Sequence, residues 1–305
     1  MRDRDTVQSA LVSASSQPWV LGALPAVGRF LVFDVRIGAD PGPPLTSLRE
    51  AFSPDRGVIG IGTPLAAALG RSVPGLRPFP ALAGPACAFP STQGAVWAFV
   101  PGQGESEVQD ASVSILDALG DAFALREEVA TFKYRDGRDL TGYLDGTANP
   151  VGVAAAEAAI VTGAGPGLDG STYVGVQRYV HDLPRFRQLT PAGRNDVIGR
   201  RISDNAEIAE APVSAHVKRT EQESFEPSGF MVRRSMPWGG LGQSGLYFVA
   251  YGESLDRFER SLRRMAGLDD GIVDALLGYT RALSGGYYWC PPVAGGRVDL
   301  SAVGL

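Results

Sequence analysis

Alternating apolar and polar positions, enriched in β-branched and aromatic residues, mark strands along both halves of the chain. In the first half they fall at 29–35, 58–62, 95–100 and 128–134. In the second they fall at about 172–180, 229–236, 245–252 and 286–290. Between them the apolar period lengthens to that of a helix. Over 105–121, Val108, Ile115, Leu116 and Leu119 share roughly one face. Asp182 and Thr190 are placed to cap helices within 182–201, with Pro191 at a first helical position. Ser254 caps a helix that puts Phe258, Leu262 and Met265 on one side, and a further helix is predicted near 270–282. The Gly-, Pro- and Ala-rich stretch 63–93 reads as a loop layer, and the tail 291–305 as surface. Each half then runs strand, helix, strand, strand, helix, strand. That order predicts an α+β fold of duplicated ferredoxin-like domains, barrel-like, with two antiparallel sheets and peripheral helices. The halves are 1–145 and 146–305. No residue-level repeat links them.

Composition narrows the classes of function. Of 305 residues, 44% are hydrophobic and 20% charged, enough apolar content for a sizeable core. The net charge is −5 and the charges are spread, which argues against nucleic acid as a partner. Cys87 and Cys290 stand alone, so there is no paired-cysteine zinc site and no covalent haem attachment. Two isolated thiols suit a reducing compartment. No run is apolar enough to span a membrane, and residues 1–25, broken by Pro18 and Pro25, do not read as a secretory leader. A cytoplasmic protein is expected.

Candidate chemistry is sparse. His181 and His216 are the only histidines, so a histidine-based metal site must use one of them. His181 lies where a strand meets a helix cap, which favours a packing role. His216 lies in an irregular stretch, and on pattern alone a lone histidine is more often structural. In ThrGlyTyrLeuAspGlyThrAlaAsnPro, 141–150, Gly142 and Gly146 bracket Asp145. The simple reading is a tight turn with a solvated carboxylate. In PheMetValArgArgSerMetProTrpGly, 230–239, alternation turns Arg233 and Arg234 to opposite faces, one inward and one into solvent. Gly240, Gly242 and Gly245 spell a dinucleotide fingerprint, but a strand follows where the fingerprint needs a helix. Those glycines read as a hairpin loop.

Taken together these segments resemble the dye-decolourising peroxidases, in particular the compact bacterial type B subgroup. The likeness runs over nearly the whole chain, through ProSerThrGlnGly at 90–94, ArgAspLeuThrGly at 138–142, TyrValHisAspLeu at 179–183 and AlaLeuSerGlyGlyTyrTyrTrp at 282–289. The family's Gly-x-x-Asp-Gly stands here as 142–146, followed by His216 and by ValArgArgSerMetPro at 232–237.

The resemblance implies a haem-dependent peroxidase with one haem b per chain. It would reduce hydrogen peroxide through a ferryl intermediate and oxidise dyes, phenolic or other small organic donors. It makes His216 the axial ligand of the haem iron and Asp145 with Arg233 the catalytic distal pair. Ser235 and Gly146 would line the distal pocket. Asp274 or Asp270 would support His216 from behind, and Arg200 would meet a haem propionate. Trp238, Tyr287, Tyr288 and Trp289 are candidate electron exits, although core packing is their simpler role. Similar proteins assemble as homo-oligomers, and some are packaged in encapsulin shells by a C-terminal peptide, which 300–305 resembles weakly. The rival readings are a haem-handling, deferrochelatase-like protein and a non-catalytic haem binder on the same scaffold. The Asp–Arg pair separates them, because a carrier needs an axial ligand but no acid–base group.

Overall fold

The computed structural model describes residues 15–305. The first fourteen residues, which include most of the stretch judged not to be a leader, lie outside the described part. Ten strands build the main sheet: β1 (Val27–Val35), β2 (Val58–Ile61), β3 (Val96–Gly102), β4 (Phe123–Phe132), β5 (Thr172–His181), β6 (Val232–Arg233), β7 (Met236–Gly239), β8 (Ser244–Gly252), β9 (Thr280–Ala282) and β10 (Gly286–Cys290). The helices are α1 (Gly42–Ala51), α2 (Thr63–Ala68), α3 (Glu105–Leu119), α4 (Val153–Ala159), α5 (Leu183–Arg187), α6 (Pro191–Ile198), α7 (His216–Arg219) and α8 (Leu255–Met265).

The antiparallel, barrel-like arrangement is as expected, but the expectation of two separate sheets is corrected. The strands run in the order β9-β5-β10-β2-β3-β1-β4-β7-β8-β6, and a further pairing of β5 with β8 closes eight of them into a ring. Every pairing is antiparallel. Within each half the strands stand in one spatial order. Followed round the ring in one direction, it is β2-β3-β1-β4 in the first and β7-β8-β5-β10 in the second. The halves meet at two thin seams, Trp289 opposite Ile61 and Thr131 opposite Trp238. At each seam one residue pair joins the halves, so the strand edges there face each other rather than solvent.

Strand alternation divides the apolar residues into two cores. One set, including Phe30, Trp97, Val129, Val176, Tyr247, Tyr251 and Tyr288, clusters inside the ring. Phe30 stacks on Tyr247 with centroids 4.0 Å apart, and the Trp97 indole N–H donates to the Tyr247 hydroxyl at 3.2 Å. The alternate set packs outward under α1, α3 and α8 through Leu45, Leu48, Ile115, Leu119, Phe258 and Leu262. Gly175 on β5 is required here. A Cβ at that position would come within 2.8 Å of the Phe258 ring. The four aromatic residues considered as electron exits, Trp238, Tyr287, Tyr288 and Trp289, are all buried and pack within the two cores.

Local signals hold where side chains act on their own backbone. Asp182, Thr190 and Ser254 each accept from a first-turn N–H of the helix they precede. Residues 240–243 form the turn between β7 and β8, with Gly239 opposite Ser244. The helix expected over 270–282 is absent. A 3-10 turn, Ala275–Gly278, leads directly into β9. The stretch 63–93 holds α2 and a short ribbon of Leu82–Ala83 with Ala88–Phe89 rather than loop alone. The tail is not loose surface either. Leu300 and Val303 are buried in the outer core. Among the described residues no helix is long and apolar enough to cross a membrane.

Candidate active site

A cleft lies between the outer face of the sheet and the helices above it. Its floor comes from alternate residues of β5 and β8: Gln177, Tyr179, His181, Leu246 and Phe248. Its roof comes from α8 through Phe258, Ser261, Leu262 and Met265, with His216 and Leu276. The cleft is concave and lined mainly by apolar side chains with a few converging polar groups, the usual make-up of a small-molecule site. A continuation of the cleft runs past Gly146, Thr147, Arg200 and Glu207. Asp145, His216, Thr220, Gln222 and Arg233 line both parts.

His216 opens α7. Its Nδ1 lies 2.7 Å from Asp274 Oδ2, and Asp274 is 1% exposed. The other carboxylate oxygen of Asp274 accepts the Leu276 N–H at 2.9 Å. That double use explains why a helix does not form there: the aspartate caps a 3-10 turn while facing His216. Burial alone would lower the pKa of His216, but the Asp274 carboxylate reverses this and the net shift is upward. Asp270, the alternative supporting carboxylate, is elsewhere. It forms a bidentate pair with Arg219, both contacts at 2.7 Å. His216 Nε2 has no protein partner among the described residues.

Asp145 sits at the base of a hairpin, after a bridge between Arg138 and Leu144. Its Oδ1 accepts the Gly146 N–H at 2.7 Å, and Gly146 adopts φ +69°, which glycine tolerates without strain. Arg233 is clamped by Asn149. The amide of Asn149 donates to the Arg233 carbonyl at 2.8 Å and accepts the Arg233 N–H at 3.0 Å. It also accepts from Nε at 3.4 Å. The terminal nitrogens of Arg233 have no protein partner among the described residues. Burial lowers its pKa, with Asp145 opposing the shift. Asn149 was not singled out from sequence. The signal available was its place in Asn-Pro at the end of the glycine-bracketed motif.

The remaining candidates are placed differently. Arg234 faces away from the cleft, as alternation requires, but it is not solvated. Its guanidinium donates to the carbonyls of Gly22 at 2.6 Å, Leu21 at 3.1 Å and Arg233 at 3.0 Å. Ser235 does not line the main cleft. It lies on a small, narrow void shared with Asp145 and Leu246. Arg200 borders the open part of the cleft and pairs with Glu207 at 3.1 Å.

The donor set fits a haem. An imidazole with one nitrogen committed to a buried carboxylate offers the other as an axial ligand. The walls between are largely apolar, and a half-buried guanidinium with unengaged nitrogens lines the same cleft. Among the described residues no cluster of three or more His, Cys, Asp or Glu side chains provides a bare-metal site instead.

Comparison with known proteins agrees with this chemistry. A family model described as Dyp-type peroxidase, C-terminal, matches residues 136–295. A dye-decolorizing peroxidase of Mycobacterium tuberculosis is 33% identical over 226 residues, covering 72% of this chain and 67% of that protein. A homologue from Mycolicibacterium paratuberculosis is also 33% identical, with 63% of its length covered. Among solved structures, a putative dyp-type peroxidase from Shewanella oneidensis superposes with a TM-score of 0.82 at 27% identity, over 93% of this chain and 96% of that one. DyPB from Rhodococcus jostii gives 0.80 at 28%, over 89% and 94%, and a variant of it is known in complex with heme. The encapsulated DyP-type peroxidase from Mycobacterium smegmatis gives 0.81 at 27%, over 92% and 96%. The sequence matches, the fold and the His216–Asp274 pair lead to one conclusion: this chain belongs to the Dyp-type peroxidase family.

Proposed function

We propose that the cleft holds one haem b with His216 as its axial ligand, and that the protein reduces hydrogen peroxide while oxidising small organic donors. The observation that carries this reading is the Asp274-bound His216 sharing one cleft with Asp145 and Arg233. Haem, when bound, supplies the redox-active iron at which peroxide is reduced and donors are oxidised. Asp274 keeps the proton on His216 Nδ1, so Nε2 is the lone-pair nitrogen presented to the cleft. Cleaving the peroxide bond requires a proton to move from one oxygen to the other. The Asp145 carboxylate accepts it and returns it. Arg233, fixed by Asn149, stabilises the negative charge that develops on the departing oxygen. The apolar floor and roof exclude water, which strengthens both effects.

Arg200, on the open side of the cleft, would pair with a haem propionate. Gly146 gives Asp145 its close backbone donor, and Ser235 borders the small void behind it. A haem-handling or carrier protein would have no use for a fixed carboxylate and guanidinium in this arrangement, which favours the peroxidase. The halves 1–145 and 146–305 are read as two ferredoxin-like units, supported by their shared spatial strand order. Free thiols at Cys87 and Cys290 suit the cytoplasm. A homo-oligomer is inferred from family likeness alone. Encapsulation has the Mycobacterium smegmatis relative in its favour, but the buried Leu300 and Val303 would first have to leave the core.

Stopped-flow absorbance of the haem-reconstituted protein tests the reading. Peroxide should shift the Soret band rapidly, and an organic donor should restore it. Arg233→Leu should slow the shift by about 10²–10³-fold and Asp145→Ala by less, because water can relay a proton but cannot supply fixed charge. A Soret band indifferent to peroxide would leave a haem carrier.

A further inference from the structure

His181 takes no part in the chemistry just described, yet it lines the same cleft. Both of its ring nitrogens are engaged. Nε2 lies 3.0 Å from Asp139 Oδ1 and Nδ1 lies 2.7 Å from Thr280 Oγ1, and the side chain is 5% exposed. No lone pair is left for a metal. The partner of interest is Asp139, which is the knot of the hairpin that carries Asp145. Its Oδ2 accepts the N–H and the hydroxyl of Thr141 at 2.9 and 2.5 Å. Its own N–H donates to the Tyr143 carbonyl at 2.9 Å, and its carbonyl accepts the Gly142 N–H at 2.8 Å. At the hairpin's base the Asp145 N–H donates to the Gly137 carbonyl at 3.3 Å.

The Asp145 carboxylate is held by nothing outside this hairpin among the described residues. Its one hydrogen bond comes from the next residue's N–H. The place of the carboxylate in the cleft is therefore inherited from the tilt of the hairpin. Beyond Asp145 the chain is tied down at Thr147, which accepts from Asn205 at 3.0 Å, and at Asn149, which pairs with Arg233; within the hairpin itself two side chains set its tilt. Tyr143 packs edge-on to Phe186 and donates its hydroxyl to Asn195 Oδ1 at 2.7 Å. Asp139 is tied to His181 at the end of β5. One anchor leaves a hairpin free to pivot, and a second anchor at a distance from the first removes that freedom. We infer that His181 is a positioning residue for Asp145, acting through Asp139 and not on the reacting atoms. The link to catalysis rests on the peroxidase reading; the mechanical link does not.

Two measurements separate those claims. Hydrogen exchange of the haem-free protein reads the tie directly. His181→Leu should accelerate exchange at the Gly142 and Asp145 amides and leave the Arg233 amide, held by Asn149, unchanged. His181→Gln, which keeps an N–H donor for Asp139, should restore protection. Asp139→Asn, should the Leu variant fold poorly, supplies a second loosening of the same knot. In the haem-loaded protein His181→Leu should slow the peroxide reaction by about 10–100-fold, the scale of a small misplacement of a reacting group. The spectrum of the His216-ligated haem should persist. In an Asp145→Ala background the same substitution should add nothing further. Unchanged exchange in the hairpin, or acceleration spread evenly over the chain, overturns the positioning role. Effects of His181→Leu and Asp145→Ala that simply multiply show that His181 does not act through Asp145 and overturn its catalytic meaning.

Discussion

Asp274→Asn is the sharpest perturbation of the proximal side, because it preserves shape and removes only charge and one acceptor. Asp274 is 1% exposed, so no water replaces what is lost. Its carboxylate accepts two donors, His216 Nδ1–H at 2.7 Å and the Leu276 N–H at 2.9 Å. An asparagine has a single acceptor oxygen, so one of these donors is left facing an NH₂ group. A hydrogen bond to a charged group contributes about 1.5–3 kcal/mol, and an orphaned buried donor costs about 1–3 kcal/mol. If the loss falls on His216, haem affinity should drop by roughly 10–100-fold, the usual scale for the partner behind a metal-bound histidine. Titrating haem into the haem-free protein and following the Soret band measures this. Asp270→Asn is the control. It breaks the Arg219 pair and should lower unfolding stability without changing haem affinity. The reasoning is refuted if Asp274→Asn binds haem as tightly as the parent, or if Asp270→Asn is the variant that weakens binding.

Three further outcomes are expected. Arg234→Leu strips donors from the carbonyls of Leu21 and Gly22 and should cost about 1–3 kcal/mol in urea unfolding. It should leave the peroxide rate near that of the parent, and a loss like that of Arg233→Leu would reverse the assignment of faces. Asn149→Ala frees the backbone and Nε of Arg233 and should slow the peroxide reaction by up to about 10²-fold; an unaltered stopped-flow rate would show that Arg233 is held by other means. Asp139 has a lowered pKa: burial alone would raise it, and His181 with Thr141 reverses that. The unfolded carboxyl, near pH 4, then binds its proton before the native one does as pH falls. Its stabilising contribution is complete above about pH 4 and is lost as the pH falls through the depressed native value. The stability gap between parent and Asp139→Asn should therefore be full at pH 7 and shrink in acid, and a gap constant to pH 2 would contradict the shift.

The sequence carried the strands well because each turns one face to the ring's interior, which demands β-branched or aromatic residues, and most bury the other face under helices, while β4 alternates buried with exposed positions. A barrel-like fold was expected, but where the ring closes was not legible. It depends on two single-pair seams, Thr131 with Trp238 and Ile61 with Trp289, that no local pattern announces. The failed helix at 270–282 has a definite cause. LeuAspAspGlyIleValAspAlaLeuLeuGly has helical spacing, but Asp274 is drawn inward to His216 and the backbone turns with it. At the site, Arg233 and Arg234 were separated correctly by alternation. What alternation cannot foresee is that three carbonyl oxygens wait for Arg234 on the far side. Asp270 and Asp274 are chemically equal in the sequence, and only the placement of Arg219 assigns one to an ion pair and leaves the other to the histidine. Asn149 escaped notice, and His181 was read only as a packing residue, for one reason. Each acts on another residue across more than forty positions of chain, and such partnerships leave no spacing to read.

The central claim is that His216, of two available histidines, holds haem. The direct test is the absorbance spectrum of the haem-reconstituted protein for His216→Ala and for His181→Ala, with and without added imidazole. The account predicts that His216→Ala loses the histidine-ligated spectrum and regains it when imidazole fills the vacated place, while His181→Ala keeps that spectrum throughout. Loss of the spectrum in His181→Ala with retention in His216→Ala would contradict it.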